Sequence, residues 1–209
     1  MAERKTRRRG RTVILANGDF PAADSPAGRA LAAAKRVGAC DGAATTYRAR
    51  CGREADLIVG DLDSLGAAAL ADAKTEIVRI AEQETNDLEK AIRCCRARGW
   101  NDLVIVGAAG KREDHFLSNV FRAMALGVEL VTDAGRFLPF TGTLRLRVSK
   151  GMPISVFATD PKTKMSSKGL EWPLDGVKFL NLYCATLNRA DAATVEITTD
   201  RPAFAFLAG

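Results

Sequence analysis

The chain has 209 residues, of which 47% are hydrophobic and 27% charged, and its formal net charge is +6. That composition supports a buried core and excludes a disordered chain, and no apolar run approaches the roughly 18–20 residues that span a bilayer. The single histidine, His115, excludes any chemistry that needs two imidazoles and any multi-histidine metal site.

TVILAN (12–17) reads as a buried strand ending in Gly18-Asp19. Ser25-Pro26 opens a helix, an N-cap followed by proline at the first helical position, and this helix is expected to run to Gly38. DLIVG (56–60) and DLVIVG (102–107) are two more strands, each closed by glycine. Between them, Asn86 and Glu89 form an N-x-x-E capping pair. Leu88, Ala91, Ile92 and Cys95 then recur at i, i+3, i+4 and i+7, which predicts a strong helix stopped by Gly99. A further helix from about Asp114 to Ala125 and a strand VELVTD (128–133) complete this part. Apolar strands spaced by helices predict a parallel-sheet, three-layer α/β domain over 12–134. In such sheets ligands sit beyond the carboxyl ends of the strands, which is where Asn17 to Asp19, Asp41-Gly42, Asp61 to Ser64 and Gly107 to Asp114 fall.

From about residue 136 the apolar period becomes two. Leu144, Leu146 and Val148 alternate with Arg145 and Arg147, and Val195, Ile197 and Thr199 repeat the pattern. Gly142, Gly151-Met152-Pro153, Gly169, Gly176 and Asp200-Arg201-Pro202 punctuate as turns. The expectation is an antiparallel all-β domain over 135–209, a sandwich or small barrel.

The positive charge belongs to the first segment. Residues 1–11 hold Arg4, Lys5, Arg7, Arg8, Arg9 and Arg11 against Glu3, six basic groups against one acidic, so the rest of the chain is close to neutral. This reads as a disordered, solvated arm, and nucleic acid is not the expected partner. Contact through the arm alone would be salt-sensitive and sequence-blind. With no apolar signal region behind the arm, a cytoplasmic location is expected. The five cysteines are odd in number and form no C-x-x-C, which fits reduced thiols rather than a disulfide framework or zinc ribbon.

Three segments could carry chemistry. Gly60-Asp61-Leu62-Asp63-Ser64 follows a strand, and paired carboxylates there suit Mg²⁺ together with phosphate oxygens. Asp61 or Asp63 would equally serve to cap a helix starting near Leu65. Gly60 would let a bulky ligand approach the backbone. Gln83-Glu84-Thr85-Asn86-Asp87 opens the capped helix, where the free N–H groups attract phosphate and favour a carboxylate; pure capping also explains Asn86 and Asp87. Gly107-Ala108-Ala109-Gly110-Lys111-Arg112 lies between a strand and a helix. It is neither a Walker A loop nor a dinucleotide fingerprint, yet Lys111 and Arg112 can neutralise phosphates. His115 beside Asp114 is either a general base or structural.

As an ordered set these segments resemble thiamine pyrophosphokinases. The set is Asn17-Gly18, Asp41-Gly42, GDLDS (60–64), Gln83 with TNDLEKAI (85–92), and G-x-x-G-x-R-x-D-H (107–115) followed by Asn119, with GLEWPL (169–174) in the β half. The resemblance implies an N-terminal α/β domain, a C-terminal β-sandwich that binds thiamine, and a homodimer with active sites shared between subunits. It implies Mg²⁺-dependent transfer of the pyrophosphoryl group of ATP to the thiamine hydroxyl, releasing AMP. The site residues implied are Asp61, Asp63 and Asp87 as metal ligands, with Arg112 and Asp114 also catalytic. Asp41, Ser64, Gln83, Thr85, Asn86, Lys111, Asn119 and Asn188 would contact substrate, and Trp172 or Phe204 could cover a cationic ring. The chain departs from the family pattern at Ala43, at Lys111 and at Leu187, which stands where the family carries a serine before Asn188. Another Mg²⁺-dependent nucleotide transferase, or a nucleic-acid-binding protein led by the arm, are the alternative readings.

Overall fold

The structure is a computed structural model in which residues 11–62, 75–82 and 84–209 are described. The chain divides into two compact units, one ending at Asn119 and including Val131–Asp133, the other made of Val120–Leu130 and Ala134–Gly209.

In the first unit, β1 (Thr12–Leu15), β2 (Arg36–Cys40), β3 (Leu57–Gly60), β4 (Glu76–Arg79) and β5 (Leu103–Val106) pair in parallel in the order β5-β1-β2-β3-β4. Alternate residues of these strands enter opposite layers. Val13, Leu15, Val37, Ala39, Ile58, Val104 and Val106 pack with Ala27 and Leu31 of α1 (Pro26–Ala32) and with Ala43, Ala44 and Tyr47 of α2 (Ala43–Cys51). The opposite face, with the fully buried Ile14, Leu57 and Ile105, is the face that α3 (Asp87–Ala97) covers, burying Leu88, Ala91, Ile92 and Cys95. The predicted stripe of α3 is thus its buried face. Truncating its centre with Ile92→Ala should cost about 2–5 kcal/mol, read as a lowered midpoint in urea unfolding.

The structure corrects one expectation here and adds two elements. The first helix stops at Ala32, capped at Ala33, and Gly38 is no helix stop but a residue of β2. Its absent side chain has a packing reason, because a Cβ there would lie 3.3 Å from the Cys95 Sγ of α3. Helix α2 was not anticipated: it buries only Ala43, Ala44 and Tyr47, too weak a stripe to read as a period. Nor was β4, an edge strand whose residues are at most half-buried and so show no apolar run.

The helix α4 (Glu113–Ala125) and the strand β6 (Glu129–Thr132) lie close to their expected bounds. In the second unit β7 (Gly135–Arg147), β8 (Pro153–Ala158), β10 (Ala185–Arg189) and β11 (Thr194–Ala208) are antiparallel in the order β10-β8-β11-β7, and β9 (Met165–Lys168) also pairs with β11. Gly142 and Asp200-Arg201-Pro202 do not end strands, as expected of them, but fall inside β7 and β11, where the pairing register shifts between Thr199 and Ala203. The residues that read as turns therefore bend a long hairpin. One half of β11 pairs with β9 and the other with β8, and both halves feed a single core containing Met165, Ile197, Val156, Ala205 and Phe179. This is the sandwich arrangement.

Candidate active site

In the first unit, β1 has β2 on one side and β5 on the other, so the chain reverses its direction of progress across the sheet beside β1. Such a switch point opens a crevice beyond the carboxyl ends of the strands. A cleft of about 330 Å³ is lined there by Ala16 to Gly18 after β1, Cys40 from β2, Asp61 after β3, Thr85 to Leu88 and Lys90 at the start of α3, the turn after β5 including Gly110 to Arg112, and His115 and Asn119 of α4.

The turn after β5 is built from backbone. Gly107 and Gly110 have φ of 66° and 77°, and Lys111 also lies in the left-handed region at 54°. Gly18 N donates to Gly107 O at 2.7 Å and Asp19 N to Ala109 O at 2.8 Å, which ties the turn to the loop after β1. Lys111 Nζ donates to Asn17 O at 3.1 Å and to Asn17 Oδ1 at 3.2 Å. Arg112 forks onto Asp114, Nε to Oδ1 at 3.1 Å and a terminal nitrogen to Oδ2 at 2.5 Å. This exposed guanidinium holds the Asp114 carboxyl down to about 2.

Carboxylates stand on the other wall. Asp61 and Asp87 line the cleft, and Asp41, 5% exposed with a positive φ, lies at the end of β2. The pKa of Asp87 is raised, first by burial and then, against the opposing pull of Lys90, by the charges of Asp61 and Asp41. One Asp41 oxygen is buried without a hydrogen-bond partner among the described residues. Gly60 belongs to this arrangement in an unexpected way: a Cβ on it would lie 2.8 Å from the Asp41 Cβ. The glycine makes room for the neighbouring aspartate.

Several expected contacts are otherwise engaged. Asn86 caps α3, its Oδ1 accepting from Glu89 N at 3.0 Å, and its Nδ2 donates to Asn119 Oδ1 at 3.0 Å. The Thr85 hydroxyl is shared with Glu82 and Arg93. In the second unit Asn188 is 4% exposed; its Oδ1 accepts from Trp172 N and Arg189 N, and its Nδ2 donates to Trp172 O at 2.7 Å. Its amide brackets a loop. Phe204 is buried and stacks on Phe157, and Arg189 lies over the exposed Trp172 ring. Leu187 is 87% exposed at a positive φ. Asp63, Ser64 and Gln83 lie outside the described residues, as does the basic segment 1–10. Two cleft residues escaped the sequence reading: Cys40, whose thiol is pushed up by burial, and Lys90, 2% exposed. A lysine three residues after Asp87 on one helix was the available signal for the second.

Comparison with known proteins agrees with this layout. A profile described as "Thiamin pyrophosphokinase, catalytic domain" matches residues 27–130, and one described as "Thiamin pyrophosphokinase, substrate-binding domain" matches 135–206. No curated protein sequence matches the chain. Among solved structures, thiamin pyrophosphokinase from Candida albicans superposes with a TM-score of 0.75 at 15% identity, covering 95% of this chain and 89% of that one. A thiamin pyrophosphokinase family protein from Enterococcus faecalis gives 0.76 at 16% identity, covering 95% and 98%. Yeast thiamin pyrophosphokinase gives 0.74 at 13% identity, covering 96% and 86%. At such identities the structures speak for the fold, while the two profiles span both halves of the sequence: the chain belongs to the thiamin pyrophosphokinase family and is an enzyme of that type.

Proposed function

We propose that this chain transfers the pyrophosphoryl group of ATP to the hydroxyl of thiamine, giving thiamine diphosphate and AMP, with Mg²⁺ required. The observation that carries the reading is the meeting of Asp61 and Asp87 with Lys111 and Arg112 in one cleft at the carboxyl edge of a parallel sheet. Acidic and basic groups facing across one cleft suit a metal-bridged polyphosphate, which needs both.

The residues present fit Mg²⁺. Asp41 keeps a buried oxygen without a partner among the described residues, and Asp87 is disfavoured as an anion by burial and by the charges of Asp61 and Asp41. A hard cation relieves both. Asp61 and Asp87, with Asp63, would hold it; among the described residues alone no group of three ligands stands complete. Bound there, Mg²⁺ would offset phosphate charge and align the triphosphate.

The chain's own groups do the rest. Lys111, anchored on Asn17, and Arg112 face the phosphates as cations, and the N-terminus of α3 adds the partial positive charge of its free N–H groups. Transfer of this kind needs positioning and charge stabilisation more than covalent work. Asp114 is poorly suited to take the hydroxyl proton, because Arg112 occupies both its oxygens and holds it ionised.

The direct test is incubation with ATP, Mg²⁺ and thiamine, followed by detection of AMP and thiamine diphosphate. AMP formed only with a different acceptor would support another nucleotide transferase instead. Arg112→Met removes a cation and releases Asp114, so turnover should fall about 10²-fold or more, measured as AMP formation. The pH profile offers a separate check. Arg112 holds the Asp114 carboxyl down to about 2, so this pair should contribute no acid limb to turnover until the pH falls close to that value.

We further propose a cytoplasmic homodimer. No helix among the described residues is long and apolar enough to cross a membrane. Leu180, Tyr183 and Leu187 of the second unit are exposed apolar side chains of the kind a subunit contact covers. Sedimentation would read twice the chain mass. Deleting residues 1–10 should leave turnover intact.

A further inference from the structure

Lys90 stands out among the charged groups of the first unit. It is 2% exposed, on the second turn of α3, and lines the cleft. Lysine is almost never buried this far unless its charge is matched. Its Nζ donates to the Ile80 carbonyl just past β4 at 3.2 Å and lies 3.5 Å from Asp87 Oδ1. The one carbonyl cannot compensate a buried ammonium. The Asp87 carboxylate, in contact with it, can. The ammonium is costly at this depth without that carboxylate, because the Lys90 side chain is only 3% exposed.

We propose that Lys90 is the resident counter-charge of Asp87, a positioning residue that holds this carboxylate at the cleft wall before a divalent cation binds. The inference rests on the Mg²⁺ reading of the site. It gives α3 two tasks along one face: Asp87 presents a ligand, and Lys90 one turn on ties that ligand to the end of β4. It also has a consequence for binding. A fixed ammonium beside the ligands competes electrostatically with an incoming cation, so removing it should tighten Mg²⁺ binding.

The test uses the full chain without substrate. Mg²⁺ is titrated into wild type, Lys90→Met and Lys90→Gln, and thermal midpoints and heats of binding are recorded. Lys90→Gln keeps a donor for the Ile80 carbonyl but no charge, and serves should the methionine variant fail to fold. Without metal, removing the ammonium should lower the midpoint by roughly 6–12 °C. Saturating Mg²⁺ should restore more than half of that loss, and Mg²⁺ should bind the variants about tenfold more tightly than wild type. In the double variant Lys90→Met/Asp87→Asn the metal-free midpoint should lie above that of Lys90→Met alone. A loss of stability equal with and without Mg²⁺, or Mg²⁺ binding unchanged or weaker in both variants, would overturn the role of Lys90 while leaving the metal site standing. Failure of wild type to bind Mg²⁺ at all would overturn both.

Discussion

Asp61→Asn should fold like the parent chain and lose Mg²⁺-dependent turnover by about 10²–10³-fold. The substitution keeps the shape of the side chain and removes only its charge. Asp61 sits immediately after β3, half-exposed on the cleft wall, so no core packing depends on it. Its carboxylate raises the pKa of Asp87, so the asparagine relieves repulsion within the metal-free protein. The thermal midpoint should therefore stay within about 2 °C of wild type or rise, as expected for a change of about 0.5 kcal/mol. AMP formation at saturating Mg²⁺ and ATP measures the first quantity and a melting curve the second. Turnover within a factor of two of wild type would remove Asp61 from the metal site. Lost turnover together with lost stability would make the residue structural.

Gly18→Ala should be among the most damaging single changes in the first unit, although it adds one methyl group. A Cβ at residue 18 would lie 2.2 Å from the Ala109 carbonyl oxygen and 2.5 Å from that of Gly107. Both are backbone atoms of the turn after β5, and Gly18 N donates to that same Gly107 oxygen at 2.7 Å. The two loops lie backbone against backbone, so no side-chain rotation can make room. They must part, and the turn that carries Lys111 and Arg112 moves with them. We expect a loss of about 2–4 kcal/mol, seen as a midpoint lower by roughly 6–12 °C, and turnover reduced at least as far as in Arg112→Met. Gly127→Ala is the control. It sits at a φ of 64° with nothing within 4 Å of its Cβ, so it should lose only about 1 kcal/mol through backbone strain and leave turnover untouched. Equal effects from the two would show that close apposition of the loops is not what residue 18 provides.

These predictions separate what the chain states locally from what the fold assembles. The strands β1, β3 and β5 were legible because strands buried on both faces are apolar throughout, as Ile14, Leu57 and Ile105 are. Helix α3 was legible because its stripe recurs with helical spacing and Asn86 caps it. Helix α2 and strand β4 were not, since one buries little more than alanines and the other is an edge. In the second unit, glycine and proline announced a change of direction but not its kind, and Pro202 bends β11 where a chain end of the strand was expected.

The sequence by itself determined the alternation of strand and helix, the ordered motifs that carry the family, and the identity of the charged residues at the strand ends. Those depend on local periodicity and on residue chemistry, both written along the chain. Tertiary structure alone decided that Asp41 is buried with one oxygen unpartnered among the described residues, that Lys90 is buried against Asp87, and that Asn188 spends its amide on holding backbone. Burial and partnership arise only when segments distant in sequence pack together, because the field at a charged group is set by neighbours the local sequence does not contain.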